Sequence, residues 1–282
     1  METTDFFEVA KRYKVLFFDA YGVLKNSGGI LEGIDRTFDF LLEADIDFYI
    51  VTNDASRSPQ RLAAAYIEQG LAMVDADRII SSGMLATEYL RLKVKTGSVA
   101  YLGTEASAHY LQEVGLDTLS IADVDLDQCE DINALVFLDD EGFDWNRDIN
   151  KIVNLLRQRN IPAIVANTDR SYPVSSKEVA VAVGGVADMV EAITGRRFIK
   201  FGKPDAQMFI FAYDHSQRAQ EVGKEQILMV GDTLTTDILG GNKFGIDTAL
   251  VLSGNTLRES AAEQIHATGI IPDYICESAV IR

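Results

Sequence analysis

Short apolar runs alternate with amphipathic stretches along this chain. Val15–Phe18 and residues 48–51, 227–230 and 248–252 are brief and rich in Val, Ile, Leu and Phe, the pattern of strands buried on both faces. Two helical stretches are marked at their starts. Ser58 precedes Pro59 as an N-cap before a proline at the first helical position, and the pattern runs to Gln69, where Gly70 closes it. A second helix is expected over 204–219, opened by Pro204. The middle of the chain carries its own set. Ser98–Leu102, 134–138 and 163–166 read as strands, and 146–159 places Ile149, Ile152, Val153 and Leu156 on one helix face. Strands alternating with helices predict an α/β protein.

Composition narrows the class. Apolar residues at 47% and charged residues at 24% are the balance of an ordinary globular protein, and 282 residues suggest two domains. Lys and Arg number 26 against 43 Asp and Glu, a net charge of −17 that argues against nucleic acid or an anionic membrane as partner. The longest charge-free stretch, 248–257, falls short of the ~20 residues that span a bilayer. Glu2, Asp5, Glu8, Lys11, Arg12 and Lys14 interrupt any apolar leader. Cys129 and Cys276 stand far apart, which disfavours a disulfide scaffold or a zinc site. The expectation is a soluble, reduced, cytoplasmic protein. With five prolines in the whole chain, no linker announces itself by composition, so any boundary must come from motif spacing.

Four segments place reactive polar residues after an apolar strand or at a helix start, where open α/β sheets bind ligands. Asp19 ends the first run and is followed by Tyr21 and Gly22; its carboxylate suits a nucleophile towards phosphorus or a ligand for a hard cation, or simply opens a turn. Thr52 and Asn53 end the second run and suit either a phosphate or a helix cap. Lys203 lies between Gly202 and Pro204 as a fixed positive charge in a loop. Asp232 and Asp237 follow the run 227–230. Both can serve a helix N-terminus, but a carboxylate cluster at the mouth of an apolar strand calls for a counter-charge, which Mg²⁺ supplies.

The order Asp19-x-x-Gly22, Thr52-Asn53, Gly202-Lys203-Pro204, Gly231-Asp232-x-x-x-x-Asp237 resembles the haloacid dehalogenase superfamily of phosphohydrolases. Within it, Thr52-Asn53 with Ser56-Arg57-Ser58-Pro59, and Thr236-Asp237-Ile238, resemble the class IIA subfamily of p-nitrophenyl-phosphatase-like and sugar-phosphatase-like enzymes. The resemblance runs through nearly the whole chain. It implies a Rossmann-like, doubly wound, mostly parallel sheet with an inserted α/β cap domain. Thr52 and Lys203 lie about 150 positions apart, far more than one connection between neighbouring strands uses. The cap is therefore expected at 96–195 and the catalytic core at 1–95 and 196–282.

The resemblance further implies a Mg²⁺-dependent phosphatase in which Asp19 attacks the phosphoryl group and water cleaves the aspartyl-phosphate. Mg²⁺ is expected between Asp19, the backbone carbonyl of Tyr21, Asp232 and the substrate phosphate, with Asp237 ordering that site from behind. Thr52, Asn53 and Lys203 are expected on the phosphate oxygens. In the cap, Asn167 and Asp169 match a family segment that faces the cleft, although a strand ending in a polar turn explains them equally. The implied partner is a small phosphorylated metabolite such as a sugar phosphate, and a homodimer is among the assemblies such relatives form.

One position departs from that pattern. Relatives carry a second Asp two residues after the nucleophile as acid and base; here it is Tyr21. A phenol with an ordinary pKa of ~10 donates a proton but accepts one poorly at neutral pH. General acid–base help is worth ~10²–10⁴ in rate, so its loss slows such an enzyme without abolishing it. Two alternatives stay open. One is a non-catalytic protein that binds phosphorylated metabolites. The other is a haloacid dehalogenase, whose Asp-x-Tyr-Gly pattern matches but which lacks the Gly231-Asp232…Asp237 motif.

Overall fold

Val15–Phe18 forms a strand whose four side chains are all buried, and Ile227–Gly231 is buried along its whole length. They lie side by side at the centre of a six-stranded sheet. The order across it is Tyr274–Cys276, Asp247–Val251, Ile227–Gly231, Val15–Phe18, Asp47–Thr52 and Ile79–Ser81. The first four pairings in that order are parallel. The chain builds outward from Val15–Phe18 on one side, then returns and builds outward from Ile227–Gly231 on the other. The strand order therefore reverses between these two strands.

The computed structural model describes residues 2–174 and 178–281. It divides the chain into two units. The first holds Met1–Thr52, Pro59–Ile80 and Lys203–Arg282; the second holds Asn53–Ser58 and Ser81–Gly202. The core of the first unit packs Leu16, Phe18, Phe48, Ile50, Leu228 and Val230 of the sheet against Phe38 and Leu41. Those two belong to the helix Ile34–Glu43, which buries Ile34, Thr37, Phe38 and Leu41 at helical spacing.

The second unit has its own five-stranded parallel sheet. Its order is Ile199–Lys200, Ala163–Val165, Ile132–Phe137, Ser98–Leu102 and Asp117–Ser120. It too reverses direction, between Ser98–Leu102 and Ile132–Phe137. Against it lies the helix Trp145–Gln158, which buries Ile149, Ile152, Leu155 and Leu156 with Val153 partly covered. Asp144 caps this helix by accepting the Arg147 N–H at 2.6 Å. The α/β class agrees with the expectation from periodicity, and the parallel sheets with what the resemblance implied.

Boundaries differ where side chains overrule pattern. The helix expected from Pro204 starts at Ala206 and ends at Ser216. Asp205 is its cap, accepting the Gln207 N–H at 2.8 Å, so Pro204 stays in the turn with Lys203. Asp237 sits in a wide helical turn over Leu234–Ile238 that runs directly into the helix Leu239–Phe244, and both Asp237 and Ile238 donate their N–H groups to the Thr233 carbonyl. Such i→i−5 turns are rare and gather at functional sites. No helix among the described residues is long and apolar enough to cross a membrane.

Candidate active site

Asp19 and Asp232 follow the two central strands, the pair between which the sheet reverses. The register pairs Phe18 with Val230 and with Ile50, and Asp19 donates its N–H to the Val230 carbonyl at 2.8 Å. Asp19 thus lies level with Gly231 and Val51, with Asp232 and Thr52 one step further along. Parallel pairing delivers these residues to one edge of the sheet, outside the carboxyl ends of its strands. Thr52 is buried at the end of its strand.

Lys203 meets them there. Its Nζ lies 2.5 Å from Asp19 Oδ1 and 2.7 Å from Asp237 Oδ1. Asp237 accepts the Thr233 N–H at 3.1 Å on its other oxygen, so both of its oxygens are engaged. Lys203 is 2% exposed, Asp232 and Asp237 are each 1% exposed, and the Asp19 side chain is 15% exposed. Of the three carboxylates, Asp19 is the one that reaches solvent and can meet an incoming substrate.

Charge in this cluster is unbalanced. Each of Asp19, Asp232 and Asp237 offers an oxygen, and these oxygens lie within 4.8 Å of one another. One buried ammonium faces three carboxylates. Burial alone would lower the Lys203 pKa, but Asp19 and Asp237 outweigh it and hold the lysine protonated, above its ordinary value. Asp237 is pushed up to about 7 by burial and by Asp19, against the lowering pull of Lys203. Burial, then the charges of Asp19 and Asp237, push Asp232 well above the usual carboxylate range. A hard divalent cation relieves this excess, and carboxylates at this spacing are its natural donors. The donor set fits such an ion.

The turn after Asp19 is shaped around Asp232. Gly22 has φ +82°, and a Cβ there would fall 2.1 Å from Asp232 Oδ2, so no other residue fits. Gly22 donates its N–H to the Lys25 carbonyl at 2.7 Å, and Tyr21, half-buried, bridges to Lys25 through the backbone.

Asn53 is buried and belongs to the second unit, directly after the chain leaves the first at Thr52. Its amide nitrogen donates to Thr168 Oγ1 at 3.2 Å and Asp169 Oδ1 at 2.9 Å, and its carbonyl accepts the Ser82 hydroxyl at 3.0 Å. The side chain expected on a phosphate is thus engaged by Thr168 and Asp169. Asn167 accepts the Asp169 N–H at 2.9 Å and shapes the turn that presents it. Asn167 and Asp169, expected in the cap, thus lie in one turn with Thr168, and that turn meets Asn53.

The sequence reading missed the loop after Asp247–Val251. Asn255 donates its N–H to Asp232 Oδ2 at 2.6 Å, Thr256 donates its N–H to the Asp232 carbonyl, and Ser253 donates its hydroxyl to the Gly22 carbonyl at 2.7 Å. Ser253, Gly254, Asn255 and Thr256 follow an apolar strand just as Asp19 and Asp232 do, and that position was the available signal. Thr233, whose hydroxyl donates to Asp232 Oδ1 at 2.8 Å, was missed as well.

Known proteins share this arrangement of sequence. The family described as haloacid dehalogenase-like hydrolase matches residues 16–117, and a second, HAD-hydrolase-like family matches residues 200–279. A chronophin of Mus musculus is 30% identical over 273 residues, covering 93% of this chain and 89% of its own. A glycerol-3-phosphate phosphatase of Gallus gallus is 28% identical over 280 residues, covering 93% and 88%. A crystal structure described as a possible sugar phosphatase of the HAD superfamily, from Cytophaga hutchinsonii, is 58% identical with a TM-score of 0.96. It covers 100% of this chain and 99% of its own.

Proposed function

Because the chain belongs to the family of haloacid dehalogenase-like hydrolases, we propose that it is a phosphoric monoester hydrolase acting on a small phosphorylated metabolite, such as a sugar phosphate. The observation that carries this reading is the buried Lys203 between Asp19 and Asp237, beside the one carboxylate of the cluster that reaches solvent. In this reading the second unit is the inserted cap of the class IIA subfamily.

Asp19 attacks phosphorus with a carboxylate oxygen. A P–O bond to Asp19 forms as the ester P–O bond breaks, and the leaving oxygen departs with the bonding pair. Lys203 supplies positive charge beside both the attacking carboxylate and the phosphoryl oxygens. Phosphoryl transfer depends chiefly on such positioning and charge compensation. Asp237 holds Lys203 in place, and Thr52 is a further donor to the phosphate. Asp19, Asp232 and the Tyr21 carbonyl would hold Mg²⁺, with Asp237 ordering Lys203 beside them. When bound, this ion supplies charge neutralisation for the phosphate and for the crowded carboxylates. Water then attacks the aspartyl-phosphate, releasing phosphate and restoring Asp19.

Tyr21 stands where such chemistry needs a group to protonate the leaving oxygen and deprotonate water. A phenol serves the first task better than the second. Aspartyl-phosphate cleavage is therefore the slow step. The same observation favours a second reading, a protein that binds phosphorylated metabolites without turnover.

The deciding experiment is phosphate release from a panel of phosphorylated metabolites and aryl phosphates, with and without Mg²⁺, beside a 2-haloacid. Mg²⁺-dependent release, lost in Asp19→Asn, is expected. Tight phosphate or vanadate binding with no release from any ester would replace the enzyme by the binding protein. Halide release would replace it by a dehalogenase.

A further inference from the structure

Both oxygens of Asp232 are engaged, and they are engaged unequally. Oδ1 accepts one hydrogen bond, from the Thr233 hydroxyl at 2.8 Å. Oδ2 accepts the Asn255 N–H at 2.6 Å and is walled in by two glycines. A Cβ built on Gly254 would stand 1.9 Å from Oδ2, and one built on Gly22 would stand 2.1 Å from it. The two glycines also face each other closely, since the Gly254 Cβ would fall 2.7 Å from Gly22 Cα. The Ser253 hydroxyl closes the arrangement by donating to the Gly22 carbonyl at 2.7 Å. Asn255 adds a tie from its side-chain amide to Thr233 Oγ1 at 2.9 Å. Residues 253–256 and the turn at Gly22 therefore grip one side of the Asp232 carboxylate and leave only Oδ1 with coordinating capacity. Asp19 is similarly restricted, because its Oδ1 lies 2.5 Å from the Lys203 ammonium.

Cations differ in what they make of this. Ca²⁺ takes six to eight oxygens at ~2.3–2.6 Å and commonly uses a carboxylate through both oxygens. Mg²⁺ takes six at ~2.0–2.1 Å in an octahedron and is content with one oxygen from each of one or two carboxylates, the rest being water and phosphate. We propose that Ser253, Gly254 and Asn255 are positioning residues that present Asp232 to the cation through one oxygen, and so set a preference for a small octahedral divalent cation over Ca²⁺. This rests on the proposed function only in taking the carboxylate cluster as a cation site. The loop acts through the shape it imposes on Asp232 and touches neither substrate nor reacting atoms.

The test is calorimetric titration of the full chain with Mg²⁺ and with Ca²⁺, for the wild type, Gly254→Ala and Ser253→Ala, with thermal melts to verify folding. Gly254→Ala forces the Asp232 carboxylate to turn. Removing a group that orients a metal ligand costs ~10–100-fold in affinity. Mg²⁺ affinity is expected to fall by that factor and Ca²⁺ affinity by much less, narrowing the preference. Ser253→Ala, which removes only the hydroxyl tie to Gly22, is expected to move the ratio the same way by a few-fold. It decides the matter if Gly254→Ala does not fold. A merely structural role for the loop moves both cations together, so an unchanged ratio in the folded variants overturns the proposal. So does a wild type that binds Ca²⁺ as tightly as Mg²⁺, or one that binds neither. Phosphate release measured on the same samples separates the two readings. A wild-type protein that hydrolyses esters while its variants keep the Mg²⁺ to Ca²⁺ ratio overturns this inference alone. A protein with the shifted ratio but no hydrolysis upholds it and overturns the hydrolase.

Discussion

Both units end central parallel strands in carboxylates, yet they relieve the resulting charge by different means. In the first unit Asp19 and Asp232 follow the strands flanking the sheet reversal, and their oxygens converge with that of Asp237 within 4.8 Å around a buried lysine. In the second, Asp139 and Asp140 follow Ile132–Phe137, also at a reversal. Hydroxyls face them: Thr104 donates to Asp139 at 3.1 Å and Tyr172 to Asp140 at 3.0 Å. Burial raises Asp139 to about 6, and the charges of Asp140 and Asp54 add to that rise. Among the described residues, only Asp19, Asp232 and Asp237 converge as a possible metal set. One topology therefore yields two outcomes. Converging carboxylates with a lysine make a place for a divalent cation, whereas in the second unit each carboxylate has a hydroxyl donor that favours its charged form against the raising effect of burial.

The strongest test of that contrast is Lys203→Met. It leaves Asp19 and Asp237 buried or half-buried without their counter-charge. Breaking a buried ion pair from one side costs about 3–5 kcal/mol, so the denaturant midpoint should fall accordingly and phosphate or vanadate binding should be lost. A stability change below about 1 kcal/mol with binding intact would mean that the lysine does not neutralise the cluster.

Next in size is Tyr21→Asp, which adds a carboxylate beside the converging set. Acid–base help of ~10²–10⁴ is available to that residue. Turnover of alkyl phosphates should rise more than that of aryl phosphates, whose leaving groups depart as stable anions, and a burst followed by slow phosphate release in the wild type should vanish. An unchanged alkyl-to-aryl ratio in a folded, Mg²⁺-binding variant refutes this account of Tyr21.

In the second unit, Asn53→Ala removes two donors from Thr168 and Asp169. A loss of about 1–2 kcal/mol is expected in chemical denaturation, because two hydrogen bonds are removed. A double-mutant cycle with Asp169→Ala checks it, and zero coupling would show that the Asn53–Asp169 bond contributes nothing.

The smallest effect is the pH dependence of Asp139. Its folded value of about 6 exceeds the ordinary 3.8, so the folded protein binds more protons than the unfolded chain between those values. Stability is then unaffected by this group below pH 3.8, falls as pH rises through the window, and bears the full penalty above about pH 6. Asp139→Asn removes the penalty. Relative to the wild type, its melting temperature should rise between pH 4 and 7. Solvent screening of a partly buried group limits the gain to about 1 kcal/mol, or roughly 2–4 °C. Parallel pH profiles for the two proteins would remove Asp139 from the comparison.

Much of this molecule was legible from sequence because its information is local. A short run of Val, Ile, Leu and Phe bounded by turn residues reads as a buried strand, and the polar residues that follow it emerge at the strand's end. That placed Asp19, Thr52 and Asp232 at strand ends and identified the α/β class. Tertiary structure decided what no local pattern contains. Tertiary packing brought Lys203, which lies in a turn outside the sheet and 184 positions from Asp19, to within 2.5 Å of it. The cap on the helix at Ala206 fell to Asp205 because its carboxylate reached the Gln207 N–H, a competition between neighbours that proline alone does not settle. Asn53 went to Thr168 and Asp169, its amide drawn to acceptors more than a hundred positions away. The grip of Gly254 and Asn255 on Asp232 depends on two loops meeting, and a glycine in a polar turn looks the same in sequence whether or not a carboxylate stands against it. Residue types and strand ends are written in the chain; convergence, and with it the balance of charge, exists only once the sheet has formed.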